Sequence, residues 1–473
     1  MKSIIIAAPV SGSGKTTITI GLMECLKRRG LKVAPFKVGP DFIDPGYHRL
    51  VTGQPSLNLD GWMLSPQTVR ELFTTHSADA DIAVIEGVMG LFDGISGSSD
   101  EGSTAQIARL TGATVFLVVD TKGFARSIAA MIKGFAEFDP DVQVGGVIFN
   151  NVSSDNHARI LREAVESALP TIAVVGCILR DSSLHIPSRH LGLLTAAENE
   201  LSPEFLDHLV ETIRRSIDLG ILWAIAGAGD RLELNQEKEP VPAVVKIAVA
   251  HDKAFCFMYE SNLQLFRDFG ADLIEFSPLL DIALPADISG IYLPGGYPEA
   301  YGEALAANSS MKTAIKGAIE ADMPVYAECG GFIYLTNGLA PHPQHLSQGE
   351  RVAEDRVRGY DFVGIFPVTT KMLPQRKALG YREIRLRTDS ILGEKGAVAR
   401  GHEFHYSETE KMPEVIERLY QVSKGGNDLG TEGYRYKNCL ASYIHLHFGS
   451  NPGMAEEFVE SCRKFKGRTD GQR

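Results

Sequence analysis

The sequence predicts an α/β protein of two successive units. The first is a doubly wound parallel sheet entered through a phosphate loop (P-loop), and the second is another α/β sheet with added hairpins. Three observations carry this. Short, nearly continuous apolar runs alternate with amphipathic segments through the first half, as strands buried on both faces of a parallel sheet require. A Gly- and Ser-rich loop, PVSGSGKTT at residues 9–17, links the first run to the first helical segment. The composition then breaks at Ala224–Pro242, and a new buried-strand signal at Val244–Ala250 opens a second pattern.

Taken in order, the first-half strands are expected at Ser3–Ala8, Val33–Val38, Ile82–Glu86, Thr114–Asp120, Val144–Asn150 and Thr171–Leu179. Between the first two, Thr16–Arg29 carries Ile20, Met23 and Leu26/Lys27 at helical spacing, and Gly30 can terminate it. In the second half, strands are expected near Asp272–Phe276, Gly290–Leu293 and Met323–Ala327. Beyond Arg351 the runs shorten and alternate: Phe362–Val368, Leu379–Arg387 and His402–Tyr406 predict antiparallel hairpins appended to the second sheet. The domains therefore read as 1–224, a linker at 225–243, a second unit at 244–460 and a fraying basic tail at 461–473.

A chain of 473 residues fits two or three domains of ~150 residues each. Hydrophobic residues at 44% and charged residues at 22% are enough to build real cores. Lys and Arg total 47 against 59 Asp and Glu, and the net charge of −12 argues against a nucleic-acid partner. The opening MKSIIIAAPV resembles the start of a signal peptide, but its apolar run is too short and leads into a loop. No stretch approaches the roughly 18 apolar residues of a membrane span, so no membrane partner is expected. The six cysteines include no C-x-x-C pair, which suits a reducing, cytoplasmic setting and neither a zinc site nor a disulfide framework.

In the loop, Gly12 and Gly14 let the backbone fold tightly, so that its N–H groups and the helix start face phosphate oxygens. Lys15 would reach the terminal phosphates, Thr16 would place a hydroxyl on Mg2+, and Thr17 follows at the helix N-terminus. The motif departs from G-x-x-x-x-G-K-[ST] at its first position, Pro9. The alternative is a glycine turn bearing an exposed lysine. Glu86 ends a neighbouring strand and is a metal candidate. Asp41 and Asp44 in VGPDFIDPGYH are metal or substrate candidates, although Asp-Pro-Gly is equally good turn chemistry. Asn150 can read an adenine edge or simply turn the chain.

The second unit offers a cysteine elbow. In MPVYAECGGF, Cys329 stands between Ala327 and Gly331, the small-x-nucleophile-x-small pattern of a tight strand-to-helix turn. A buried structural thiol is the alternative. A thiol nucleophile needs a base, and ASYIHLHF supplies His445 and His447, two apart and so on one face of a strand. Gly295 and Gly296 in LPGGYPE, with Gly330 beside the sulfur, are oxyanion-donor candidates.

Together, GSGKTT, VGPDFIDPGYH, EGVMGLFDG, SRHLGLLTAAE, LPGGYPE, YAECGGF, GHEFHYS and SYIHLHF occur in the order seen in cobyrinate a,c-diamide synthases, which the chain resembles over nearly its whole length. These are glutamine-dependent amidotransferases of cobalamin biosynthesis. The first unit is similar to dethiobiotin synthetase-type P-loop ligases and the second to class I glutamine amidotransferases.

The resemblance implies that Cys329 attacks the glutamine amide and His445 activates it. Class I members usually carry a Glu two residues after that His, but here the position is His447, so the orienter of His445 is open. It further implies that MgATP converts substrate carboxylates to acyl phosphates, which ammonia displaces. Expected partners are glutamine, ATP and a tetrapyrrole polycarboxylate, with a homodimer as the assembly to test. Arg189 and His190 join Asp41 and Asp44 as candidates for the macrocycle side. The same chemistry on nickel-sirohydrochlorin or hydrogenobyrinate is an alternative. A partitioning-type ATPase switch is another, but such switches carry a Lys where this chain has Val10 and lack a glutaminase half.

Overall fold

The computed structural model describes residues 1–189, 192–199, 201–229, 241–340 and 359–471. The chain divides into two compact units, Met1–Glu237 and Lys238–Arg473.

The first unit is a doubly wound sheet. Its strands are β1 (Lys2–Ala7), β2 (Val33–Val38), β3 (Leu57–Leu59), β4 (Ile82–Glu86), β5 (Thr114–Asp120), β6 (Val144–Val152) and β7 (Ala173–Leu179). They lie side by side in the order β3-β2-β4-β1-β5-β6-β7, and each pairing is parallel. The interior strands β1, β4 and β5 are buried almost end to end, which is why they read as unbroken apolar runs. Helices α1 (Lys15–Arg28) and α2 (Asp44–Thr52) follow β1 and β2. The register aligns Lys37 of β2 with Glu86 of β4, and Glu86 with Ile6 of β1. The carboxyl ends of these three strands therefore converge beside the loop that follows β1, the usual place for a ligand on an open α/β sheet.

Two expectations change here. The Asp-Pro-Gly turn is the first turn of α2, because Pro45 suits an early helical position where no N–H is required. The expected linker begins inside the first unit, since Gly227–Ala228 pairs antiparallel with Lys2–Ser3 of β1. Residues 230–240 lie outside the described residues.

The second unit holds a ten-stranded mixed sheet. Its parallel part runs Ala271–Phe276, Val245–Ala250, Gly290–Leu293, Val325–Glu328 and Cys439–Ser442. Antiparallel strands Asn427–Tyr436, Glu417–Lys424, Ala378–Leu386, Val398–His405 and His445–Leu446 continue it. The expected hairpin additions to this sheet are these strands. Phe366–Met372 belongs instead to a separate four-stranded sheet with Thr336–Leu339, Tyr360–Asp361 and Ser407–Thr409.

The expected basic tail is helical as far as Asp470, and residues 472–473 lie outside the described residues. A helix spans Pro452–Asp470, with Met454, Phe458, Cys462 and Phe465 buried at helical spacing along one face. The Lys and Arg residues that suggested a loose end occupy its other positions.

Candidate functional site

In the first unit, Gly12 and Gly14 adopt φ of 80° and 94°, a left-handed conformation that glycine enters without penalty. Gly14 must also be small, because a Cβ there would lie 2.3 Å from Asn150 Nδ2. Asn150 donates to Ser13 O at 2.9 Å, so one N–H of its amide braces the loop. Lys15 begins α1 and donates to Met89 O at 2.7 Å. Thr17 follows within the first turn of α1.

Thr16 donates to Glu86 Oε1 at 2.5 Å and lies 3.4 Å from Asp44 Oδ2. Between these two carboxylates sits a residue the motif reading passed over, Lys37. Its Nζ is 2.5 Å from Asp44 Oδ2, 3.1 Å from Glu86 Oε1 and 3.2 Å from Gly87 O. Glu86 Oε2 is bonded in turn to His48 Nε2 at 2.7 Å, and His48 Nδ1 to Ser56 Oγ at 3.0 Å. Burial opposes the charge on Lys37, yet Asp44, Glu86 and Asp41 hold its ammonium well above the ordinary range. Burial likewise opposes ionised Glu86, and Lys37, His48 and Thr16 overcome it, holding the carboxyl well below the usual range. Burial and the proximity of Lys37 push Lys15 down to about 8.

Asp41 is a local brace. Its Oδ1 accepts from Ile43 N–H and Asp44 N–H at the start of α2, and its Oδ2 is 4.0 Å from Lys37 Nζ. Arg189 lies on a two-residue strand, Ser188–Arg189, paired with Gly192–Leu193, and His190 lies outside the described residues.

In the second unit, Cys329 caps a short helix, Gly330–Leu335, with φ 45° and ψ −101°. A non-glycine residue held at positive φ stores roughly 1–3 kcal/mol, which surrounding packing must offset. The glycines after it are sterically required: a Cβ on Gly330 would lie 2.8 Å from Gly296 N, and one on Gly331 2.1 Å from Leu293 O. Cys329 N–H donates to Ser442 O at 2.7 Å, and the sulfur is 4.0 Å from Phe404 O. Burial pushes the thiol well up, with Glu299 in the same direction and the Gly330 amide opposing. The resting group is therefore a thiol, which needs a base to lose its proton.

His445 is buried with its ring against Gly295, where a Cβ would fall 2.2 Å from His445 Cε1. His447 serves differently. Its Nδ1 accepts from Gly449 N–H at 3.1 Å, so Nε2 carries the proton and meets Ser261 Oγ at 3.1 Å. Its ring packs on Tyr259, 4.6 Å between centroids, and burial pushes its pKa down to about 3. The two histidines therefore have different partners, His445 lying against Gly295 and Glu328 and His447 against Tyr259 and Ser261.

The oxyanion candidates divide. Gly295 N–H donates to Phe257 O at 3.1 Å and is not available to a ligand. Gly330, next in the chain to Cys329, and Gly296, whose N lies 2.8 Å from where a Gly330 Cβ would stand, are the remaining candidates.

One more residue escaped the motif reading. Glu328, next to the cysteine, is buried with Oε2 3.7 Å from His445 Nδ1. Its signal was a lone carboxylate ending an apolar strand, as Lys37 was a lone cation within one.

Among the described residues, no helix is long and apolar enough to cross a membrane. Residues 4–194 match a family model described as the CobQ/CobB/MinD/ParA nucleotide binding domain. Residues 246–453 match the CobB/CobQ-like glutamine amidotransferase domain. The chain is 44% identical to a cobyrinate a,c-diamide synthase of Syntrophotalea carbinolica, covering 97% of this chain and 98% of that protein. It is 42% identical to the synthase of Priestia megaterium, covering 98% of each chain. With that of Picrophilus torridus it shares 41% identity over 98% of this chain and 99% of the relative.

Proposed function

The chain belongs to the cobyrinate a,c-diamide synthase family, and from that premise we propose that it amidates the a and c side-chain carboxylates of cobyrinate with ATP and glutamine. The observation that carries the reading is Cys329 itself. A buried thiol in left-handed backbone at a strand-to-helix turn, with Gly330 and Gly331 allowing the close approach that follows it, is an arrangement packing alone does not require.

The glutaminase half begins when His445 takes the Cys329 proton and the sulfur attacks the glutamine amide carbon. The Gly296 and Gly330 amides donate to the oxygen as it gains charge. Ammonia leaves with the proton, and water releases glutamate from the thioester.

In the first unit, Lys15 and the loop amides bind the ATP phosphates, and Thr16 and Glu86 face the terminal phosphate region. Thr16 Oγ1, Asp44 Oδ2 and Glu86 Oε1 are the hard oxygens that would hold magnesium, and the Lys37 ammonium shares the two carboxylate oxygens. Magnesium, when bound, neutralises phosphate charge. Phosphorylation of a substrate carboxylate supplies the leaving group that a bare carboxylate lacks, and ammonia displaces it. The Arg189–His190 segment is assigned to the macrocycle side, where a cation would pair with the peripheral carboxylates, whereas Asp41 and Asp44 stay engaged with the start of α2 and with Lys37.

The test is incubation with glutamine, MgATP and cobyrinate, following glutamate release and macrocycle mass. The expected result is a loss of about one mass unit per amidated carboxylate. Conversion of nickel-sirohydrochlorin or hydrogenobyrinate in parallel incubations, with cobyrinate left intact, would reassign the substrate.

A further inference from the structure

Resting on the reading of Cys329 and His445 as nucleophile and base, we propose that Glu328 is the carboxylate that orients His445 and balances its charge. It is a positioning residue, contributed by the position immediately before the nucleophile.

The need is physical. When the S–H bond breaks, the electron pair stays on sulfur to form the bond to the amide carbon, and the proton goes to the His445 nitrogen turned away from Glu328. An imidazolium then exists in a site where His445 is buried. Such a charge is costly unless it is paired. The position two residues after His445 cannot supply the partner, because it is His447, engaged with Gly449 and Ser261.

Glu328 meets the requirement. Its Oε2 is 3.7 Å from His445 Nδ1 and accepts from Tyr292 Oη at 2.8 Å. Its Oε1 accepts from Tyr326 Oη at 2.5 Å and from Leu446 N–H at 2.9 Å. The last bond ties the carboxylate to the backbone of the residue that follows His445, so the two side chains hold a common frame. The phenols are stacked, 5.6 Å between centroids and 10° between planes. Burial and then the Glu328 charge push both phenols well above their ordinary range, which keeps them donors.

Other titratable groups face His445 among the described residues. His402, its partner across the adjacent strand, is pushed down to about 3, chiefly by burial and then by His445, so it adds no positive charge. Arg382 and Glu403 pair with each other at 2.6 Å, and Cys329 and Glu299 lie on the sulfur side. Glu328 lies within ion-pair distance of the ring.

Glu328→Gln removes the charge and keeps the volume. The expected result is a glutamine-dependent kcat lowered about tenfold to a hundredfold with KM little changed. The acidic limb of the kcat/KM profile should move about one unit down in pH, because imidazolium is no longer stabilised. Amidation driven by added ammonium should be unchanged. An unmoved acidic limb, or equal loss of the ammonium-driven rate, would overturn the proposal and leave Glu328 a structural anchor. If Glu328→Gln does not fold, Tyr292→Phe decides. Loss of one donor makes the carboxylate more basic and should raise the acidic limb, and an unmoved limb again overturns the proposal. Failure of the underlying reading looks different: Cys329→Ser would then still hydrolyse glutamine.

Discussion

Lys37 Nζ sits 2.5 Å from Asp44 Oδ2 in a fully buried ion pair at the carboxyl edge of the first sheet. Glu86 completes it at 3.1 Å, so one ammonium serves two carboxylates and the Thr16 hydroxyl is drawn into the same cluster. Removing one member of a buried pair strands the others' charge, whereas removing matched partners does not.

Lys37→Met is therefore expected to destabilise the protein by about 3–5 kcal/mol and abolish ATP-dependent amidation. Asp44→Asn in the same chain should recover part of that stability. Urea unfolding of the two single variants and the double variant measures the coupling, and additive losses would contradict the pairing.

Lys15 titrates at about 8 in the free protein, because burial and Lys37 disfavour its charge. A bound triphosphate favours the ammonium, so binding takes up a proton once the free lysine is neutral. ATP affinity should be flat below pH 8 and fall by up to about tenfold per unit above it. Calorimetry in two buffers of different ionisation enthalpy reads the proton uptake directly. A flat affinity from pH 7 to pH 9.5 would rule this out.

The two histidines should separate cleanly. His445→Gln is expected to lose glutamine hydrolysis by at least about a hundredfold while keeping ammonium-driven synthesis. His447→Ala removes a buried acceptor and donor, costing about 1–3 kcal/mol of stability, with glutaminase kcat at permissive temperature largely kept. Thermal unfolding beside both assays checks this, and the reverse pattern would exchange their roles.

Gly331→Ala tests the elbow. A methyl 2.1 Å from Leu293 O must displace backbone, so unfolding free energy should fall by about 1–3 kcal/mol and glutamine hydrolysis should collapse. Retention of wild-type hydrolysis would mean that the turn relaxes easily.

Much of the local geometry is legible in the sequence, for local reasons. The loop glycines, Thr16, Glu86 and the small residues around Cys329 declare themselves because strand, turn and helix geometry is written in adjacent positions. The tail misled because its basic residues outweighed a correctly spaced apolar face. The histidine pair was ambiguous because spacing names no partner, and only packing puts His445 beside Glu328 and His447 beside Ser261.

The linear chain by itself determined the inventory and order of reactive groups: a phosphate loop, an acidic strand end, then a thiol elbow and a distant imidazole. Only the tertiary structure decided which of them meet. Lys37 and Glu86 lie 49 positions apart and Glu328 and Leu446 118 apart. Strand pairing sets the first contact, and the path of the chain from Ser442, paired with Glu328, to the His445–Leu446 strand sets the other, and nothing in either local pattern encodes the partner. Burial then makes those meetings consequential, because a charge removed from water is tolerated only where its counterpart has been placed within reach.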